Sequence, residues 1–268
     1  MSSRSLWLET AGPDAFAPLA ADVETDVVVI GGGITGLTAA VLLRAAGQRV
    51  VVLEARRLGQ GVTGRSTVHL TEAVDTRYFH IESAFGKEGA RLVARSSRAA
   101  VERVAALIAR LEIDCGFQRR PGYLFTEDPE AAESQLRREY EAAKRAGLPV
   151  ALQARADLPF ENRGAVRSPD QAQMLAGRYT AALARAATHG GAAIHENSHV
   201  EGGPVVRAKK VFVATHAPLN RVFLQTKIYA YRSYVLAYSD IELADDCSGT
   251  PRIRITTSAP SRSTESLI

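Results

Sequence analysis

The chain has 268 residues, room for one large or two modest domains, and its 46% hydrophobic and 23% charged content is that of an ordinary globular protein. Its net charge of +4 is scattered, with only short pairs such as Arg119–Arg120 and Lys209–Lys210 and no interleaved aromatics, so no nucleic-acid partner is expected. Cys115 and Cys247 match no metal, redox or disulfide spacing, no apolar run reaches the roughly 18 residues of a membrane span, and the N-terminus carries no secretory pattern; the expectation is a cytoplasmic protein without a bound metal.

Residues 1–24 read as an N-terminal arm rich in Ala, Pro and Asp, with Trp7 its expected anchor. Val27–Ile30 is a β-branched run of the kind covered on both faces in a parallel sheet. Gly31, Gly32, Gly33 and Gly36 follow in the order G-G-G-x-x-G, which contains G-x-G-x-x-G. Gly31 suits a tight turn, Gly33 lets a diphosphate approach the backbone, and Gly36 lets the next helix lie close on the sheet. That helix is predicted over Thr35–Ala46, with Leu37, Ala40, Val41, Leu42 and Leu43 on its apolar face and Gly47 as its stop. Its first N–H groups and positive dipole end would face the phosphates. Val50–Leu53 is the parallel return strand, and Glu54 follows Gly36 by 18 residues, at the strand tip where a carboxylate can accept both ribose hydroxyls. Strand, turn, helix, strand and acid in register predict a dinucleotide-binding unit.

Further along, residues 59–73 form a loop with Gly59, Gly61 and Gly64 and hydroxyls at Thr63, Ser66 and Thr67. Lys87–Leu111 carries apolar residues at helical spacing and predicts one long amphipathic helix. Pro121-Gly122 opens a strand at Tyr123–Phe125, and Asp128-Pro129 starts a helix that runs to about Ala146 before Gly147. Ser168-Pro169-Asp170 reads as a helix N-terminal signal ahead of a helix across Tyr179–Thr188, stopped at Gly190-Gly191. Strands are expected at Ala193–Glu196, Val211–Ala214 and Tyr229–Tyr238. From Asp246 the chain is mostly Ser, Thr, Arg and Pro, which predicts disorder on composition.

The stretch Ser5–Ala46 resembles FAD-dependent oxidoreductases of the glycine/D-amino-acid oxidase family, and in particular a bacterial branch whose longer members carry a C-terminal Rieske domain. Residues 59–73 (GQGVTGRSTVHLTEA), 119–125 (RRPGYLF), 211–220 (VFVATHAPLN) and 231–238 (YRSYVLAY) extend the resemblance through most of residues 5–243. It implies an α/β chain with a Rossmann-type FAD/NAD(P)-binding domain and an interleaved, incomplete α+β substrate domain. The implied division is an arm at 1–24, FAD-binding parts at 25–115 and 169–221, substrate-domain parts at 116–168 and 222–245, and a disordered tail at 246–268. It puts Gly31, Gly32, Gly33 and Gly36 at the FAD diphosphate and Glu54 at the adenosine ribose. Gly61, Thr63, Gly64, Ser66 and Thr67 would line the rest of the phosphates and the approach to the flavin. Val200 would face the adenine, and Ala214 and Thr215 would close over the cofactor; His216 stands where many relatives have Gly.

The implied reaction is hydride transfer from the carbon of an amine or amino acid to flavin N5, with the electron acceptor left open. Since a neutral amine drives its own hydride loss, no dedicated base is required. His69, Tyr231 and Arg232 are the candidates for work near the substrate: an imidazole to tune protonation, and a guanidinium to clamp a carboxylate beside an aromatic. Each also has an ordinary structural reading, as does Tyr123, a strand aromatic. Relatives insert a hairpin where this chain has only EGGPVVRAKK between Val200 and Val211, and they continue beyond the YRSYVLAY strand. Back-translated with suitable synonymous codons, the tail admits a one-base-shifted reading that resembles that continuation. A frameshifted, truncated product with weak FAD retention is therefore expected. Two other readings stay open: a non-catalytic dinucleotide-binding remnant, and an NAD(P)-dependent dehydrogenase using the same glycine motif.

Overall fold

Strand β1 (Val23–Ile30) ends in the glycine turn, which passes the chain to helix α1 (Ile34–Ala45) and then to strand β2 (Val50–Leu53). β1 starts earlier than its β-branched core predicts. Its first half is held by a second parallel neighbour, β8 (Val206–Val213), with Val23 beside Val206 and Ile30 beside Val213. The computed structural model describes residues 15–66, 68–156, 161–200, 203–216 and 265–267. Trp7, Thr67, Tyr231, Arg232 and the Tyr229–Tyr238 segment lie outside them.

The described residues group into two units that interleave along the chain. The first takes the described parts of Met1–Val68, Ile108–Gly116 and Met174–Tyr229. Its sheet is fully parallel in the order β7-β2-β1-β8, where β7 is Ala193–His195. All four residues of β2 are buried, as a central parallel strand requires. Gly36, Leu37, Ala40 and Val41 form the buried face of α1, while Leu42 and Leu43 are only half-buried. Helix α5 (Ala176–His189) packs on α1, and Arg44 of α1 donates to Gly190 O at 2.6 Å, capping the C-terminal end of α5. The other side of the sheet, at Val28, Val51 and Leu53, is packed by Val23, Val206, Ala208 and the arm residue Leu19.

The second unit takes the described parts of His69–Leu107, Phe117–Gln173 and Ala230–Ile268. Residues 69–107, expected with the first FAD-binding part, cluster here instead. Helix α2 (Tyr78–Arg110) buries Tyr78, Ile81, Ala90 and Ala94 against Ala142, Ala143 and Ala146, and this apolar seam fixes its allegiance. α2 begins before the predicted Lys87 and is broken at Gly86, whose φ of 72° and ψ of 176° are not helical. The sheet of this unit is antiparallel. Strand β4 (Gln118–Thr126) pairs with β6 (Gly164–Gln173), and β6 in turn pairs with β3 (His69–Leu70) and β5 (Ala151–Gln153). β9 (Glu265–Leu267) pairs with β4, so three residues of the tail predicted to be disordered form a short strand.

Asp128 caps helix α3 (Pro129–Ala131), its carboxylate accepting from Glu130 N–H at 2.9 Å, as the Asp-Pro pair predicts. The single predicted helix is then carried through a wider π turn at Ala132–Leu136 into α4 (Arg137–Arg145). Ser168-Pro169-Asp170 is a correction. It lies inside β6, where Asp170 takes a φ of 55° and the register against β4 shifts between Arg120 and Gly122. An Asp after a Pro suits such a bulge as well as a helix start, and neighbouring strands decide the outcome. α5 begins later, after an uncapped Leu175.

Candidate functional site

The glycine turn is tightly enclosed: a Cβ at Gly31, Gly32 or Gly36 would meet a neighbour within 2.5 Å. Gly31 has a φ of 112°, and a Cβ there would lie 2.5 Å from Ala214 O. Ala214 is itself held by its N–H on Ile30 O at 2.8 Å, so the chain leaving β8 closes directly over the turn. A Cβ on Gly36 would lie 1.9 Å from Gly31 O, which explains why the first turn of α1 must be side-chain-free on that face. Gly33 differs: among the described residues its Cβ would meet only Thr63 Oγ1 within 4 Å, at a tight 3.1 Å. Gly33 thus meets no described backbone atom there; at the N-terminal end of α1 it forms a cradle walled on this side by the Thr63 hydroxyl.

Glu54 stands at the tip of β2 with its half-buried carboxylate turned to this cradle. One oxygen accepts Gly32 N–H at 2.8 Å, and the other accepts Arg56 N–H at 2.9 Å. A carboxylate offers about four lone-pair sites, so each oxygen keeps capacity for one hydroxyl donor. The side chain is thus fixed beside the turn with two acceptor positions to spare. Thr63 opens a short 3₁₀ turn (Thr63–Arg65), and its hydroxyl accepts Ile34 N–H, the first helical amide of α1, at 3.1 Å. Gly64 is buried in that turn, Gly61 is exposed with nothing near its Cβ position, and Ser66 Oγ accepts Val68 N–H at 3.2 Å.

Among the remaining expected contacts, Val200 is exposed on the loop after β7, and Thr215 follows Ala214 at the end of β8. His216 has a φ of 64°, the left-handed region that favours glycine. The backbone there keeps the shape that a glycine would give, although the residue is His. His69 belongs to the antiparallel unit, opposite Gln173, and the protein packed around its ring holds its pKa below the ordinary imidazole value. Two residues at the turn were not legible as site residues. Leu58 fills the space where a Gly32 side chain would go, and Gly59 N–H bonds Gly32 O at 3.0 Å. The only signal was their place in a Gly-rich loop.

A family model described as DAO, FAD dependent oxidoreductase, matches residues 26–262. The chain belongs to the DAO family. Gamma-glutamylputrescine oxidoreductase of Escherichia coli K12 is 32% identical over 188 residues, which cover 69% of this chain and 40% of that protein. YhfW of Bacillus subtilis strain 168, whose name describes a Rieske 2Fe-2S iron-sulfur protein, is 28% identical over 86% of this chain and 48% of its own length. The chain thus spans about half the length of the curated relatives it matches, or less. Glycine oxidase from Bacillus cereus ATCC 14579 shares the DAO fold at a TM-score of 0.55 and 21% identity, over 71% of this chain and 55% of that one. L-Amino acid deaminase from Proteus myxofaciens matches at 0.58 and 18%, over 76% and 48%.

Proposed function

We propose that this DAO-family chain binds FAD at the glycine turn and oxidises an amine or an amino acid. The observation that carries the reading is the cradle itself: an α1 N-terminus with a bare Gly33, beside a Glu54 carboxylate pinned to Gly32 N–H. The Gly31–Gly33 amides and the α1 dipole would hold the diphosphate, with Gly36 keeping α1 close enough for its dipole to count. The spare acceptor positions of Glu54 would take the two ribose hydroxyls. Thr63, with Gly61, Gly64, Ser66 and Thr67, would continue the phosphate wall; Ala214 and Thr215 would close over the turn, and Val200 would border the adenine.

When bound, FAD supplies the two-electron acceptor for hydride leaving the amine-bearing carbon. The chain's own contribution is binding, orientation and exclusion of water. His69, its pKa lowered by the protein around it, would help leave a substrate amine uncharged, and Arg232 with Tyr231 would orient a carboxylate. The family and the amine- and amino-acid-acting relatives support the substrate class. No helix among the described residues is long and apolar enough to cross a membrane; the sparse cysteines support a cytoplasmic setting.

The test is the visible spectrum of the purified protein supplied with FAD. Flavin absorbance at about 450 nm that an amine or amino acid bleaches anaerobically is expected. A chain at saturating FAD whose flavin spectrum and fluorescence are those of free FAD, or that binds a nicotinamide dinucleotide instead, refutes the reading.

A further inference from the structure

The flavin reading leaves one deeply buried carboxylate unused. Glu196, at the end of β7, is 1% exposed. Its Oε1 accepts Leu58 N–H at 2.8 Å; its Oε2 accepts Phe16 N–H at 3.1 Å and pairs with Arg57 Nε at 2.9 Å. All three partners lie elsewhere in the chain, two of them in the loop that follows Glu54.

That loop is gripped from both sides. On the β7 side, Glu54 N–H bonds His195 O, Asn197 N–H bonds Arg56 O, and Ser198 N–H bonds Glu54 O, each at 2.9 Å. On the glycine side, Glu54 receives Gly32 N–H, Leu58 packs over Gly32, and Gly59 N–H bonds Gly32 O. Ala55 and Arg56 are exposed, so apolar burial does little to shape the loop before Leu58. Hydrogen bonds define it, and Glu196 makes the ones at its far end. Losing that acceptor would leave Leu58 N–H without its buried acceptor and remove the Glu196 ion pair of Arg57, and binding a ligand would then have to re-order the loop.

We propose that Glu196 is a positioning residue: its carboxylate holds residues 54–59, and with them Glu54, in the shape that receives the adenosine half of a dinucleotide. This rests on the flavin-site reading above. The same carboxylate ties down the arm at Phe16, alongside the Leu19 N–H bond to Ser198 Oγ at 2.9 Å, so the arm and the adenosine side share one anchor.

The experiment compares wild type with E196A and the isosteric E196Q, using FAD and ADP titrations and amide hydrogen exchange read peptide by peptide. The expected result is faster exchange confined to Phe16 and residues 57–59. FAD and ADP binding should both weaken by about tenfold or more, the factor that matches re-ordering one loop residue on binding. Exchange in β4 and β6 should stay as in wild type; E196Q keeps the side-chain volume should E196A not fold. Wild-type affinity for FAD and ADP in E196Q overturns the proposal, and so does exchange that rises uniformly through the chain. A wild type that binds neither FAD nor ADP overturns the flavin-site reading itself, and this proposal with it.

Discussion

Gly36→Ala is the sharpest test of the packing that aims α1 at the glycine turn. In a helix interior the substitution alone would stabilise by about 1 kcal/mol, because Gly is the poorer helix former. Here the new Cβ would sit 1.9 Å from Gly31 O and 3.2 Å from Val29 Cγ1. The first neighbour is backbone in a turn already covered by Ala214, so no rotamer change relieves it, and α1 must retreat by about 1 Å from β1. Overpacking of this kind costs about 1–3 kcal/mol, and the absence of a flexible partner puts Gly36 at the upper end. The net expectation is destabilisation by about 1–2 kcal/mol, or several degrees in Tm. The same shift pulls the first amides of α1 away from the cradle, so FAD affinity should fall further than stability. Urea unfolding followed by circular dichroism reads the first quantity and flavin titration the second. Gly61→Ala is the control: it has open space and no positive φ, and should lie within about 0.5 kcal/mol of wild type. A Gly36→Ala protein as stable as wild type would refute the reasoning, since helix propensity would then outweigh the clash.

Three further outcomes follow from the same geometry. Glu54→Gln should weaken FAD binding by about tenfold to a hundredfold, because the amide presents donors where Gly32 and Arg56 N–H already point; equilibrium titration checks it. Thr63→Val removes the acceptor on Ile34 N–H and should cost about 1 kcal/mol in chemical unfolding, with a smaller loss of FAD affinity than Glu54→Gln. Tyr78, buried and donating to Glu72 O at 2.8 Å, has its pKa pushed up to about 12 by burial, from an ordinary 10.0. The unfolded chain therefore loses that proton first. The contribution is full below about pH 10 and is lost as pH rises from 10 towards 12. The stability gap between wild type and Tyr78→Phe should narrow across that window; a gap independent of pH would contradict the burial argument.

The amino-acid order determined the local elements whose signals are short-range. The β-branched run, the glycines of the turn, the α1 face and the return strand at Val50–Leu53 all appear within a few residues of their expected places, because each is set by neighbours in the chain. The Asp128-Pro129 cap is of the same kind. Tertiary structure decided everything that depends on a distant partner. Ser168-Pro169-Asp170 became a bulged strand because β4 lay alongside it, and residues 69–107 joined the antiparallel unit because their apolar stripe met the alanines of α4. The glycines could be read as needed, yet what needs them (Ala214 O over Gly31, Gly31 O under Gly36) is visible only once β8 lies beside β1. Glu54 could be singled out because it stands at a fixed offset from the glycine motif. Glu196 could not, because it lies 138 positions from Leu58 and no motif links the two; only the pairing of β7 with β2 brings its carboxylate to the loop it holds.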